Sequence, residues 1–249
     1  RDREAERLVQ ADSIYRIYSS TKLITSCAAM MLWEEGQFQL DDPLRDYLPE
    51  LGSLSVVKDG ANDVGLVEPV AVEPTIRQLM CHNAGFSYGL FAESVVDPIY
   101  NAAGVSAPTA TLEDMVRKLG DIPLAYQPGR RWQYSVSVDV LGRLIEVLSG
   151  LRFGEFLSQR IFEPLGMLDT GFHVPTEKHD RFCANYAPVN MLDPMKPGLN
   201  VVPDTLLGDY LEPKAMESGG GGLVSTIGDY TRFIQMIVGG GFVNDARIL

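Results

Sequence analysis

The chain has 249 residues and a formal net charge of −12, with 45% hydrophobic and 22% charged residues. Those proportions are typical of a globular protein and allow one large domain, or a core with an appended lobe. The acidic balance offers no Lys/Arg face for phosphates, and no apolar run approaches the roughly 18–20 residues that span a bilayer, so neither a nucleic-acid partner nor a membrane span is expected.

In chain order, the alternation through Ser13–Tyr18 predicts a short extended segment. It leads into Ser19-Ser20-Thr21-Lys22, after which Ile24, Cys27, Ala28, Met31 and Leu32 recur at the helical period until Gly36. Asp41-Asp42-Pro43 predicts a short helix carrying Leu44, Tyr47 and Leu48. Residues 52–72 read as a surface excursion. Thr75-Ile76-Arg77-Gln78 is a capping box whose helix runs to Cys81 or His82, with Gly85 as its left-handed terminator. Residues 86–110 hold Phe86, Tyr88, Phe91 and Tyr100 without a period, and read as a lid or pocket wall.

Thr111 caps a helix that ends at Gly120. Pro128-Gly129 makes a turn, Arg131–Val136 is extended, and a helix from Ser137 or Asp139 ends at Gly150. A further helix spans Phe153–Ile161 and stops before Pro164. Residues 173–215 contain no long element. The glycine run 219–222 lacks the Gly-Lys-Ser/Thr of a phosphate loop, so it reads as a close backbone approach to a cleft or another element. Thr226 then caps a helix from Ile227 to Val238, closed by Gly239. Cys27 and Cys81 fall in helical patterns and read as buried small hydrophobes; with Cys183 they form no disulfide framework, and a cytoplasmic, reducing setting is expected. His82, His173 and His179 have no metal-site spacing, and neither a metal nor another cofactor is expected.

Ser19 and Lys22 are three residues apart at a helix N-terminus. A spacing of three brings both side chains onto one face, where the amine can take the hydroxyl proton and the helix end favours developing negative charge. Two other serines compete. Ser55-Val56-Val57-Lys58 has the same spacing but runs into Asp59-Gly60 with no helix after it, and reads as a surface turn. Gly85-Phe86-Ser87-Tyr88-Gly89 matches a nucleophile elbow, with His173 or His179 as a base. An elbow requires a strand before the Ser and a helix after it, and neither is predicted here. Ser19 as a plain helix cap is the remaining alternative.

Tyr134 decides between them. With Gln127-Pro128-Gly129, Tyr134-Ser135, Asp139-Val140-Leu141-Gly142, Ile161-Phe162-Glu163-Pro164-Leu165-Gly166-Met167 and Gly219–Thr226, the stretch Tyr15–Lys22 resembles the serine β-lactamase-related superfamily. The resemblance runs through nearly the whole chain and is nearest to class C-like proteins and the carboxylesterases of that fold. It implies a helix-rich α+β, β-lactamase/transpeptidase-like domain over residues 1–249, with Ser19 as the acylated nucleophile and Lys22 and Tyr134 handling its proton. The implied function is a carboxylesterase for small or medium acyl esters. An acyltransferase, an amide or β-lactam hydrolase and a catalytically silent ligand-binding relative are the alternatives.

Two departures refine this. The family's lactamases carry Asn where Val136 stands, and Val136 can donate nothing to an amide side chain, which favours an ester substrate. No Lys-Thr-Gly or His-x-Gly follows, although the resemblance places that motif, with half of the oxyanion hole, on a later strand. Most of the family's antiparallel sheet is therefore expected outside residues 1–249. The 249 residues are expected to be part of a longer polypeptide, incomplete at both ends, and an isolated 1–249 chain to be nearly inactive.

Overall fold

A computed structural model of the protein describes residues 2–89, 94–202, 208–243 and 246–249. Its helices form around α1 (Thr21–Glu34) and α5 (Ser137–Ser149). On α1 the residues Ile24, Cys27, Ala28, Met31 and Leu32 are all buried. Each fully buried aliphatic side chain of this kind contributes about 1.5–3 kcal/mol by leaving water. Helix α5 buries Val138, Leu141, Leu144 and Ile145 and packs against α1, α2 (Ile76–Met80), α4 (Leu112–Gly120) and α6 (Phe153–Leu157). Capping boxes at Thr75 and Thr111 start α2 and α4, while the Thr226 side chain accepts from Asp229 N–H to start α8 (Ile227–Val238).

Among the described residues the strands form four two-stranded antiparallel ladders. One of them matters for the site. Strand β1 (Ile14–Arg16) pairs with β6 (Val224–Thr226), Ile14 opposite Thr226 and Arg16 opposite Val224. This pairing puts the chain entering Ser19 beside the chain leaving the glycine run. Gly219 and Gly220 then lie so close to the start of α5 that a Cβ would come 2.6 Å from Val138 O and 2.6 Å from an Asp139 carboxylate oxygen, respectively. The close approach expected for the run is what forms.

Several expectations change. Residues after Pro43 make two 3-10 turns, Leu44–Asp46 and Pro49–Leu51, not a helix. The reason is Pro49, which holds Leu48 out of helical geometry (φ −124°, ψ 77°). Residues 52–72 contain a hairpin, β2 (Ser55–Val57) with β3 (Val67–Pro69), and Val56 and Val57 are core residues rather than part of a surface turn. A helix, α3 (Asp97–Ala103), lies inside 86–110, and Phe91 falls outside the described residues. The 153–161 helix becomes α6, a π turn at Ser158–Phe162 and α7 (Glu163–Leu165), which carries Pro164 in its first turn, where a missing N–H costs little. Cys81 is exposed, and Cys183 is buried with Cys27.

After α2, His82 (φ 55°) is already in left-handed conformation, three residues before Gly85, which is left-handed too. Gly85 has its own constraint: φ 97°, with a Cβ only 2.6 Å from Tyr126 O. Gly85→Ala is expected to destabilise the fold by about 2–3 kcal/mol through backbone strain and this clash. A urea midpoint equal to that of the parent protein would contradict this.

Candidate active site

Ser19 sits in a 3-10 turn, Tyr18–Ser20, directly before α1, and Lys22 is in the first turn of that helix. The tyrosine before the serine has φ 41°, a left-handed conformation that is costly for a bulky residue and characteristic of functional turns. Asn185 donates to the Tyr18 hydroxyl at 2.8 Å and helps hold it. The turn presents Ser19 to solvent, with its Oγ 2.7 Å from the Tyr134 hydroxyl and 3.3 Å from Lys22 Nζ. Lys22 Nζ also donates to Gly220 O at 2.5 Å and lies 4.5 Å from the Tyr134 ring centre. Residues 115 positions apart thus meet at one helix N-terminus.

Tyr134 is held by its neighbours. Its ring stacks on His82, with centroids 4.9 Å apart, and packs against Tyr88 at 5.3 Å. The Ser135 backbone N–H donates to His82 Nδ1 at 3.2 Å, and Gln133 N–H donates to His82 O at 2.9 Å. Burial, with Lys22 adding to it, pushes the imidazole from its ordinary 6.5 to about 4. A neutral ring is what the Ser135 N–H needs as an acceptor. Because the folded-state pKa lies below the unfolded one, this contribution is complete above about pH 6.5 and is lost as pH falls through 4. After discounting for partial solvent contact, the parent protein is expected to lose on the order of 1–2 kcal/mol more than His82→Gln across that window. Parallel stability curves for the two proteins in urea would contradict it.

Ser87 has another task. It is buried, donates to an Asp97 carboxylate oxygen at 2.5 Å and accepts from Gln133 Nε2 at 2.7 Å. Its carbonyl accepts from Val136 N–H, so it braces the segment that carries Tyr134. Among the described residues no strand leads into it, and His179 is instead bonded to Val174 O. Ser55 lies in a hairpin strand.

Two residues beyond the sequence reading belong to this arrangement. His82 is one. Asp139 is the other: a buried carboxylate that accepts from Ser218 Oγ at 2.5 Å and Gly220 N–H at 2.9 Å, with burial raising its pKa. It fixes Gly220, the residue whose carbonyl accepts from Lys22. A carboxylate in the first turn of the largely apolar α5 was the signal available in the sequence.

Ser19, Tyr134 and Tyr88 open onto a cavity of about 600 Å³ whose walls also include Tyr100, Met115 and Met216. A hydroxyl between a phenol and an amine, at a helix N-terminus beside a cavity, has the parts of a nucleophilic acyl-transfer site.

The family model described as Beta-lactamase matches residues 1–248, and the chain belongs to that family. The chain is 33% identical over 250 residues to Protein Rv1367c of Mycobacterium tuberculosis, covering 100% of this chain and 60% of that protein. It is 32% identical over 247 residues to Esterase EstB of Burkholderia gladioli, covering 95% of this chain and 60% of that protein. The chain therefore spans about three fifths of the length of these relatives. The solved structure of EstCE1, a hydrolase with promiscuous acyltransferase activity, superposes with a TM-score of 0.79 over 99% of this chain and 64% of that chain, at 23% identity, which establishes the shared fold. Among the described residues no helix is long and apolar enough to cross a membrane.

Proposed function

We propose that this protein is a serine hydrolase that cleaves small or medium carboxylic esters through an acyl-enzyme on Ser19. The observation that carries the reading is that Ser19 Oγ, on the cavity wall, meets Tyr134 at 2.7 Å and Lys22 at 3.3 Å. Tyr134 is the nearer proton acceptor. Lys22 donates to Gly220 O, which holds its Nζ 4.5 Å from the Tyr134 ring centre, facing the oxygen that acts as base. Ser19 Oγ attacks the acyl carbon as its proton passes to Tyr134. The ester C–O bond then breaks, and the alcohol leaves with that proton. Water, deprotonated by the same pair, attacks the acyl-enzyme and releases the acid and Ser19. The partial positive end of α1 lies where the oxyanion develops. An exposed Cys81 thiol fits a reducing, cytoplasmic setting.

Val136 supports an ester over a β-lactam. It is buried in the core, its N–H is bonded to Ser87 O, and it does not line the cavity. No amide donor therefore reaches the substrate from this position. Short-chain nitrophenyl esters are expected to be turned over with kcat/KM roughly 10²-fold or more above that for a chromogenic cephalosporin. Comparable rates on the two substrates would refute the preference.

A further inference from the structure

Among the described residues the cavity beside Ser19 is lined by tyrosines, methionines and small residues, with one ammonium group and the Asp139 carboxylate. Lys214 lines it, with Nζ 3.3 Å from the ring centre of Tyr210. Its head sits in a narrow place: a Cβ on Gly208 would lie 3.5 Å from Lys214 Nζ and 3.8 Å from Pro108. Lys214 thus stands where the 208–216 segment faces the 104–108 loop. Tyr210 links this place to the nucleophile, since its hydroxyl donates to Gly221 O at 3.3 Å, and Gly221 lies against the Tyr18 backbone.

Among the described residues no carboxylate lies within ion-pair distance of this charge. Among the described residues Lys214 forms no ion pair and no hydrogen bond, although fourteen other basic-to-acidic contacts close there within 4.0 Å. Asp139, on the same wall, is engaged by Ser218 and Gly220. Asp209 is exposed, and its carboxylate accepts from Leu211 N–H. A second cation, the Arg16 guanidinium, lies 5.5 Å from the same Tyr210 ring. Lys214 therefore presents a positive charge to a largely apolar space, while Arg16 lies outside the lining and donates to Cys183 O. An ammonium group half-removed from water gains most from a partner of opposite charge.

We infer that Lys214 forms an anion-recognition subsite, and that the substrates are esters carrying a carboxylate on the part of the molecule that fills this cavity. The inference rests on the hydrolase reading for the word ester; the binding of a carboxylate does not depend on it. Burial holds the Lys214 ammonium down at about 8, with Asp209 opposing and Arg16 reinforcing that shift. It is charged at pH 7 and loses its proton as pH rises through 8. Of its other neighbours, Tyr210 is pushed up to about 12 and stays neutral in that window.

The test compares nitrophenyl hydrogen adipate with nitrophenyl hexanoate, which differ only at the far end of the acyl chain. A second pair, phenyl butyrates with and without a carboxymethyl group on the ring, places the anion on the alcohol side. In at least one pair the parent protein is expected to prefer the anionic ester. Lys214→Met is expected to lower that anionic-to-neutral ratio of kcat/KM about tenfold or more, through KM, and Lys214→Arg to retain it. Because the ratio cancels groups common to both esters, its decline above pH 8 in the parent protein reports Lys214 and needs no variant. Calorimetric titration of the Ser19→Ala protein with adipate, which requires no turnover, is expected to show saturable binding that Lys214→Met weakens by a similar factor.

Adipate binding that depends on Lys214, with no ester cleaved, would leave the subsite standing and remove the hydrolase reading. Esters cleaved without any preference for charge in either pair, or a preference unmoved by Lys214→Met and by pH, would overturn the subsite.

Discussion

Ser19→Ala is expected to lower ester turnover by on the order of 10⁴-fold or more, since no neighbouring group replaces a lost covalent nucleophile. The same measurement on Ser87→Ala is expected to show turnover within several-fold of the parent. The two serines differ in surroundings, not in residue type. Ser19 is exposed, follows a tyrosine in left-handed conformation and contacts both Tyr134 and Lys22. Ser87 is buried, with its hydroxyl shared between Asp97 and Gln133. Removing that hydroxyl leaves buried polar partners unsatisfied, so its effect is expected in stability, at about 1–3 kcal/mol. Turnover retained in Ser19→Ala and lost in Ser87→Ala would reverse the assignment.

Tyr134→Phe and Lys22→Met are each expected to lower the acylation rate by about 10²–10⁴-fold, the range for a lost proton-transfer group. Tyr134→Phe removes the oxygen 2.7 Å from Ser19 Oγ and leaves the ring stacked on His82. Lys22→Met keeps the length of the side chain but removes its contacts to Ser19 Oγ and Gly220 O. The double variant is informative because groups that act as one unit are grossly non-additive. Its rate is expected to lie close to that of the slower single variant. A double variant whose loss equals the product of the two single losses would mean that Tyr134 and Lys22 act independently. Single-turnover acylation, followed by nitrophenolate release, separates this step from deacylation.

Much of this site was legible because its parts are local patterns. Ser19 and Lys22 share a helix face by spacing alone, and the period from Ile24 to Leu32 predicts the buried helix that anchors them. Thr75, Thr111 and Thr226 marked helix starts because a capping hydroxyl at a fixed offset is also a local device. Tyr134 needed the longer family pattern, since nothing near it in sequence requires a tyrosine.

What escaped was non-local. His82 supports Tyr134 through a stacked ring and a bond to Ser135, 53 residues away, from a backbone conformation that its residue type does not announce. Asp139 is the residue that fixes Gly220, 81 positions further on, and α5 by itself gives no reason for a buried carboxylate. The turns at 44–51 depended on Pro49 acting backwards on Leu48, and the π turn at Ser158–Phe162 left no trace in composition. Lys214 lies in a stretch whose position is set by tertiary contacts, so only the folded cavity makes its exposure to the site visible.

The most direct test of the central claim is covalent. The parent protein is incubated with a fluorophosphonate, its intact mass is measured, and the modified residue is located by peptide mapping. The account predicts a single adduct on Ser19, absent from Ser19→Ala and strongly slowed in Tyr134→Phe. An adduct on Ser87, or a folded protein that turns over esters while Ser19 stays unmodified, would contradict it.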